Sequence, residues 1–174
     1  THTDLSDELY REGKLVSDNY KNILRSQTNA AAIPADVTVR YGVTVRRANL
    51  RNLPTGEGLF FYASDRNFDA LQETALDPGE AVAILHTSTN GYFYYVQAYN
   101  YRGWLSKFDV AETDRSTWLR YAEPKNFLTV VAKDYTLKAD GAQVLFQQGA
   151  RLQLADKKAS AYTVKVPVRT KEGK

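Results

Sequence analysis

The chain contains no cysteine and no methionine among its 174 residues. The absence of cysteine excludes disulfides, cysteine nucleophiles and zinc–thiolate sites. It fits either a reducing compartment or an exported protein without disulfides, so it does not decide the location. The sequence also lacks an apolar run of about 18 residues and a signal-peptide h-region. We therefore expect a soluble protein that is a processed or trimmed product of a longer gene.

The excess of positive over negative charge is also small. The 23 basic and 20 acidic residues give a formal charge of +3, and the basic excess is spread along the chain, so nucleic acid is not implied as a partner. What the chain does contain is tyrosine and phenylalanine, with 12 and 7 copies. Tyrosine joins a flat apolar ring to a polar tip, which suits strands and recognition surfaces. The composition favours a β-rich protein with aromatic surfaces.

Residues 81–105 predict a three-stranded meander. An apolar run from Ala81 to Leu85 is followed by Asn90-Gly91 and then by a run of aromatic and β-branched residues. Asn-Gly between two such runs predicts a β-hairpin with a type I′ turn, because both residues tolerate positive φ. The return into Trp104 supplies the third strand. Such a meander cannot bury enough apolar surface alone, so its flanks must complete a small barrel or sandwich.

The flanking segments alternate between helical and strand patterns. Ser17 and Asp18 predict the start of a helix that ends near Asn29, and from Val37 to Val45 the period changes to two. Residues 57–79 form a long irregular stretch that is rich in aromatic residues, which is unusual for an idle loop. Asp114 predicts a short helix that Pro124 stops. Further short strands are expected at 127–131, 135–138, 144–147, 151–154 and 162–168, with a hairpin turn at Asp140-Gly141.

Several of these motifs resemble a bacterial SH3 domain. The matching residues are Asn49-Leu50-Arg51, Pro54-Thr55, Gly91, Phe93, Val96 and Gly103-Trp104-Leu105. More narrowly, residues 47–51, 68–72, 78–80 and 101–105, with Thr74 and Leu76, resemble the first of two SH3-like domains that precede the catalytic domain in NlpC-type cell-wall peptidases. Residues 148–150 and 162–173 resemble the second of these domains. This sequence departs from the family at Phe93, where the family usually has tryptophan.

The resemblance implies an all-β fold with two small SH3-like barrels. On this reading, residues 1–35 are a partly helical N-terminal arm and residues 36–112 the first SH3-like domain. Residues 113–125 are a short helical linker, and residues 126–174 are the second SH3-like domain, incomplete at its C-terminus.

The resemblance also implies a function in the cell wall. Enzymes of that group, the γ-D-glutamyl-diamino acid endopeptidases, cleave after D-glutamate in peptidoglycan stem peptides with a Cys-His centre in a papain-like domain. This chain has no cysteine, so we expect it to be non-catalytic. It would bind stem peptide or shape the substrate cleft of an attached NlpC-type catalytic domain, in the periplasm or outside the cell after removal of a signal sequence. The alternative is a protein–protein adaptor in an exported cell-envelope complex.

The candidate ligand site is a groove between the aromatic loop and the tyrosine-rich meander. Alternation places Tyr92 and Tyr94 on one face and Phe93 and Tyr95 on the other, so one set must be core. Asp65 or Asp69 could meet an amino group of the ligand, although loop aspartates more often accept backbone N–H groups. His86 lacks the neighbours of a metal ligand, and no cofactor is expected. The candidate ligand-binding residues are Phe61, Tyr62, Asp65, Asp69, Tyr92, Tyr94, Tyr99 and Tyr101.

Overall fold

A computed structural model describes residues 5–139 and 142–174, so the predicted Asp140-Gly141 turn lies outside the described residues. The strands are β1 (Tyr10–Arg11), β2 (Lys14–Leu15), β3 (Arg40–Thr44), β4 (Ala48–Arg51), β5 (Gln72–Leu76), β6 (Ala81–Thr87), β7 (Phe93–Gln97), β8 (Arg102–Ser106), β9 (Val110–Thr113), β10 (Phe127–Thr129), β11 (Asp134–Ala139), β12 (Ala142–Gln147), β13 (Arg151–Lys157) and β14 (Tyr162–Lys165). The helices are α1 (Asp18–Gln27) and α2 (Arg115–Ala122), with 3₁₀ turns at Ala30–Ala32 and Lys107–Asp109. The predicted all-β, SH3-like fold class is confirmed.

The first SH3-like unit is an antiparallel seven-stranded sheet in the order β5-β4-β8-β7-β6-β3-β9. The predicted meander, β6 to β8, forms its centre. Every second residue of β7 points into the core, so Tyr94 and Val96 are buried while Phe93 and Tyr95 are half-buried. The buried residues of this core are Ala48, Leu50, Leu76, Val82, Ile84, Tyr94, Val96, Ala98, Leu105 and Val110.

The hairpin between β6 and β7 is confirmed, but its predicted turn type is wrong. Of Asn90 and Gly91, only Gly91 has a positive φ, at 70°, whereas a type I′ turn needs positive φ at both central residues. The Gly91 N–H donates to the Ser88 carbonyl, and the Ser88 N–H donates to the Phe93 carbonyl, so the loop is longer than two residues. The two-residue turn with two positive φ values occurs instead between β1 and β2, at Glu12 (52°) and Gly13 (81°).

Two other expectations need correction. The stretch 57–79 is not irregular throughout, because Gln72–Leu76 forms β5 and pairs with β4. The strand predicted from Val37 begins only at Arg40. Val37 and Val39 are exposed at 38% and 39%, and pairing of β3 with β6 and β9 begins at Arg40 and Tyr41. Alternation alone did not make a strand where no partner strand lies beside it.

The N-terminal segment packs on the first barrel. Helix α1 begins after Ser17, whose hydroxyl accepts the Tyr20 N–H, as the sequence predicted. The segment shares an apolar cluster with the loop between β4 and β5. Its buried members are Leu5, Leu9, Val16, Leu24, Leu59 and Leu71. Tyr10 and Phe60 also exchange backbone hydrogen bonds of 2.7 and 2.9 Å. Residues 5–33, the arm, are therefore held by both apolar and backbone contacts.

The second unit has its own small core. Strands β10, β13 and β14 form one antiparallel sheet, and β11 and β12 form another. The buried residues between them are Val130, Phe146, Ala150 and Leu152. Helix α2 precedes this unit, with Asp114 as its N-cap, and ends before Pro124 as predicted. In the described part of the chain, no helix is long and apolar enough to cross a membrane.

Candidate functional site

The loop between β4 and β5, residues 52–71, is fixed at its base by a buried ion pair. Arg51 Nη1 lies 2.6 Å from Asp69 Oδ2, and the Arg51 side chain is only 6% exposed. The second terminal nitrogen of Arg51, Nη2, donates to the Glu57 carbonyl at 2.6 Å. Asp69 Oδ1 accepts the backbone N–H groups of Leu59 and Leu71 at 3.1 and 3.0 Å. The carboxylate therefore joins both sides of this long loop, and each of its oxygens already has a partner within the chain.

The tip of the long loop is held by Asp65. Its Oδ1 accepts the N–H groups of Asn67 and Phe68 at 2.8 and 3.3 Å. These hydrogen bonds, chiefly the one from Asn67, lower the pKa of the Asp65 carboxyl. Asp65 thus orders the tip by accepting backbone N–H groups, the commoner role of a loop aspartate. Around this turn three rings point outward: Phe61, Tyr62 and Phe68 are exposed at 46%, 72% and 78%. We call these three side chains the loop rings.

The arm joins the long loop to the β6–β7 turn, where the sequence predicted an open groove. At one end, the Tyr20 hydroxyl donates to the Glu57 carboxylate at 2.6 Å, and burial together with this hydrogen bond raises the pKa of Tyr20. At the other end, Thr89 donates through its N–H and its hydroxyl to the carbonyls of Gln27 and Ser26. The arm therefore contacts both the long loop and the β6–β7 turn, which are the two sides of the predicted groove.

The tyrosines of the meander do not form one surface. Tyr94 is buried at 8% exposure, and its hydroxyl donates to Glu112 at 2.7 Å. Burial, and then Glu112, raise the pKa of Tyr94. Tyr92 and Tyr99 flank the two ends of β7 and are seven residues apart, so about 23 Å of extended chain separates them. Tyr101 follows Tyr99 in the same turn and is exposed at 41%.

Each end of β7 has its own neighbours. Tyr92 packs against Phe108 with ring centroids 6.0 Å apart, and Lys107 Nζ lies 5.2 Å from the Tyr92 ring centroid. Tyr99 is 80% exposed and lines a cleft toward the second barrel. Of the eight predicted site residues, the structure brings together Phe61, Tyr62 and Asp65 on one loop. It places Tyr94 in the core and Asp69 in the loop base, and separates Tyr92 from Tyr99 and Tyr101.

His86 lies on the outer side of the meander. Its Nε2 is 3.0 Å from the Asn29 carbonyl oxygen, and its ring is in edge contact with Trp104. It therefore holds the end of the arm against β6. Within residues 5–139 and 142–174, no cluster of histidine and acidic side chains could hold a metal ion.

Sequence reasoning left Phe68 and Phe108 out of the candidate site. Phe68 has the most exposed ring of the long loop, and Phe108 is 48% exposed beside Tyr92. The signal for Phe68 was present, because it lies next to Asp69 in the aromatic stretch. For Phe108 the sequence gives no such signal, since only the 3₁₀ turn at Lys107–Asp109 brings its ring to Tyr92.

Comparison with known proteins supports an SH3-type fold. Residues 59–106 match the family model described as SH3 domain (SH3b1 type). This confirms the resemblance to a bacterial SH3 domain over the long loop and the meander. The chain also resembles a solved structure, titled as a novel NlpC/P60 endopeptidase from Photobacterium damselae subsp. piscicida, at a TM-score of 0.73 and 23% identity. The alignment covers 91% of this chain but only 36% of that one. No curated protein matches.

Proposed function

We propose, starting from a bacterial SH3 domain at residues 59–106, that this chain is the non-catalytic SH3-type region of a cell-wall peptidase. It binds peptidoglycan stem peptide through the loop rings and so shapes the substrate cleft of an attached NlpC-type catalytic domain. Its place of action is the cell envelope, in the periplasm or outside the cell. The likeness to a structure titled as an NlpC/P60 endopeptidase supports this context.

The single observation that carries the proposal is the exposure of three large rings on a firmly held loop. A mobile loop would lose conformational entropy on binding, whereas this one is already ordered by the Arg51–Asp69 pair and by the Asp65 turn. Exposed apolar patches on a soluble domain commonly mark interaction sites, and rigidly supported loops commonly carry them. The loop rings would supply shape and apolar contact.

A positive charge on the same loop fits the same ligand. Arg66 lies between Tyr62 and Phe68 and is exposed. Its Nη1 donates to the Ala63 and Asp65 carbonyls at 2.8 and 2.6 Å, which holds the guanidinium at the tip of the loop. The remaining guanidinium N–H groups can bind a carboxylate. Stem peptides carry carboxylates beside small aliphatic side chains, so exposed rings and a guanidinium on one loop suit them.

The test is a pull-down with purified peptidoglycan sacculi. Tyr62→Ala and Phe68→Ala should each reduce the bound fraction by about fivefold, because a lost ring contact costs about 1 kcal/mol. Tyr135→Ala is the matched control, since Tyr135 is a 50% exposed ring on β11 of the other unit, and it should bind like the parent chain. Equal binding by all four proteins would refute the site. Capture of an envelope protein instead of sacculi would favour the adaptor function.

A further inference from the structure

A cleft of about 520 Å³ separates the first unit from α2 and the second unit. One side comes from the start of β6 and the β7–β8 turn, and the other comes from α2 and β13. The volume lies in the range of small-molecule sites, which is about 300–1,000 Å³. The cleft opens at the Tyr99 end of β7, whereas the arm and the β6–β7 turn lie at the Tyr92 end, so it is separate from the groove that the sequence predicted.

Three aromatic residues, together with several alanines and Pro124, form the apolar lining of the cleft. Trp118 is fixed in place, because its indole N–H donates to the Val82 carbonyl at 3.0 Å and its ring packs 5.1 Å from that of Tyr41. Tyr121 is half-buried on the same helix, and burial raises the pKa of its hydroxyl. Tyr99 stands opposite them and is 80% exposed. Aromatic rings that line a cleft can pack against an apolar or planar side chain.

Two opposite charges line the cleft without pairing to each other. Glu80 is half-buried at the start of β6, and neither of its carboxylate oxygens accepts a hydrogen bond from any residue in the described part of the chain. Arg151 lies on β13 and places its guanidinium 4.9 Å above the Phe127 ring, with no ion pair to a described carboxylate. Burial, and then the neighbouring Asp77, raise the pKa of Glu80, while Arg151 opposes this shift. A ligand cation would relieve the burial cost of the Glu80 carboxylate.

The side-chain amides around the cleft and the other acid near Glu80 already have partners. Gln153 Nε2 donates to the Arg120 carbonyl at 3.2 Å. The Gln97 amide bonds to its own β7–β8 turn and to Arg102. Asp77, the acid nearest to Glu80 in sequence, accepts from Arg47 and from the Gln147 N–H. The groups left for a ligand are therefore one carboxylate, one guanidinium and the rings.

We propose that this cleft binds a short peptide with a free amino terminus and a free carboxyl terminus. The ammonium group lies at Glu80, the carboxylate lies at Arg151, and an aromatic or bulky apolar side chain packs between Tyr99 and Tyr121. A neutral sugar would use the rings but would bring no counter-charge to Glu80 or to Arg151. The peptide satisfies all three features at once. This site does not depend on the loop rings or on the proposed cell-wall function.

Isothermal titration calorimetry with the dipeptide Ala-Phe tests the site directly. The parent chain should bind Ala-Phe with a Kd of about 1 mM or tighter. N-acetyl-Ala-Phe lacks the ammonium group and Ala-Phe-amide lacks the carboxylate, so each should bind about tenfold more weakly. Chitobiose, a neutral disaccharide, is the probe for a sugar site. Absence of Ala-Phe binding, or tighter binding of chitobiose, would overturn the proposal.

Matched variants assign each end of the peptide. Glu80→Gln should weaken Ala-Phe binding about tenfold and abolish the discrimination against the N-acetyl form. Arg151→Gln should do the same for the amide form. The controls are Glu8→Gln and Arg115→Gln, which change exposed residues that do not line the cleft, and they should bind like the parent chain. Circular dichroism confirms that each variant is folded. Unaltered discrimination in the Glu80 and Arg151 variants would exclude this pairing of charges.

Discussion

Arg51 and Asp69 show how single residues decide the shape of the long loop. Both side chains are largely buried, at 6% and 16% exposure, so each charge depends on the other for compensation. The two carboxylate oxygens of Asp69 have different partners. Oδ2 faces Arg51, whereas Oδ1 accepts the two backbone N–H groups. Because Asn keeps one acceptor oxygen, Asp69→Asn can preserve the backbone contacts while it removes the charge pair.

A double-mutant cycle should measure this pair. Arg51→Met leaves the Asp69 charge buried without a partner, and we expect it to lower the free energy of unfolding by about 3–5 kcal/mol. With Asp69→Asn as the second change, the double variant should lose less than the sum of the single losses. The expected coupling is about 1–3 kcal/mol, from urea unfolding followed by circular dichroism. Additive losses would mean that the two side chains act independently.

The same residues mark the limit of sequence reasoning about the site. Asp69 was a candidate for a ligand amine because it lies in an aromatic loop, but its true partner, Arg51, lies 18 residues away in sequence. Tyr94 was a candidate because tyrosine is common at binding surfaces, yet the register of β7 turns it inward. Residue type and loop position predicted which side chains are able to bind a ligand. Which of them remain exposed depends on long-range pairing.

At the scale of elements, the sequence predicted those that local chemistry specifies. The meander has aromatic and β-branched strands with turn residues between them, and both helices begin at a capping side chain. Strand β5 was missed because its sequence, QETAL, lacks alternation, and only pairing with β4 makes it a strand. Strands β1 and β2 have two residues each, which is too short for any periodicity. Elements that lack alternation or are too short to show it were therefore not predicted.

The cap of α2 provides a pH-dependent test. Hydrogen bonds from the Ser116 hydroxyl and the Thr117 N–H lower the pKa of the Asp114 carboxyl below its usual value. A depressed folded-state pKa stabilises the fold above the unfolded pKa of about 3.9, and this stability is lost as the pH falls through the folded value. The difference in Tm between the parent chain and Asp114→Ala should therefore be largest at neutral pH and should narrow below about pH 4.

Differential scanning fluorimetry between pH 3 and pH 7 measures that difference. Asp114→Asn is the control, because an asparagine caps a helix but does not titrate. Its Tm relative to Asp114→Ala should not vary with pH. A constant gap between the parent chain and Asp114→Ala over the whole range would show that the ionised carboxylate contributes nothing to the cap.

At the scale of the whole molecule, several polar contacts join the two units. Asp77, in the β5–β6 turn of the first barrel, accepts the Gln147 N–H of the second unit at 3.0 Å and Arg47 at 3.2 Å. Near the end of the chain, the Gly173 carbonyl accepts the Glu112 N–H at 2.8 Å, and Arg169 Nε donates to the Val110 carbonyl at 3.1 Å. Interfaces between domains of one chain are commonly of this polar kind, and relative motion is expected where they are weak.

Asp77 is the residue through which this docking can be tested. Asp77→Ala leaves the Gln147 N–H without its acceptor, at a cost of about 1 kcal/mol, and this should raise the population of the undocked state about fivefold. The linker between the units contains Lys125, and the adjacent Pro124 lines the cleft. Undocking frees this part of the linker, so trypsin should cut after Lys125 about fivefold faster in the alanine variant. This expectation assumes that opening is fast relative to cleavage, so that the rate follows the open population.

Asp77→Asn separates docking from charge. The asparagine keeps an acceptor oxygen for the Gln147 N–H but removes the ion pair with Arg47. The Arg47 side chain is exposed, so this ion pair contributes little to stability. Its cleavage rate should therefore stay close to that of the parent chain. If both variants are cut at the parent rate, then the Gly173 and Arg169 contacts hold the units together without Asp77. If both variants are cut faster than the parent chain and at the same rate, the Asp77 charge rather than the hydrogen bond to Gln147 keeps the units docked.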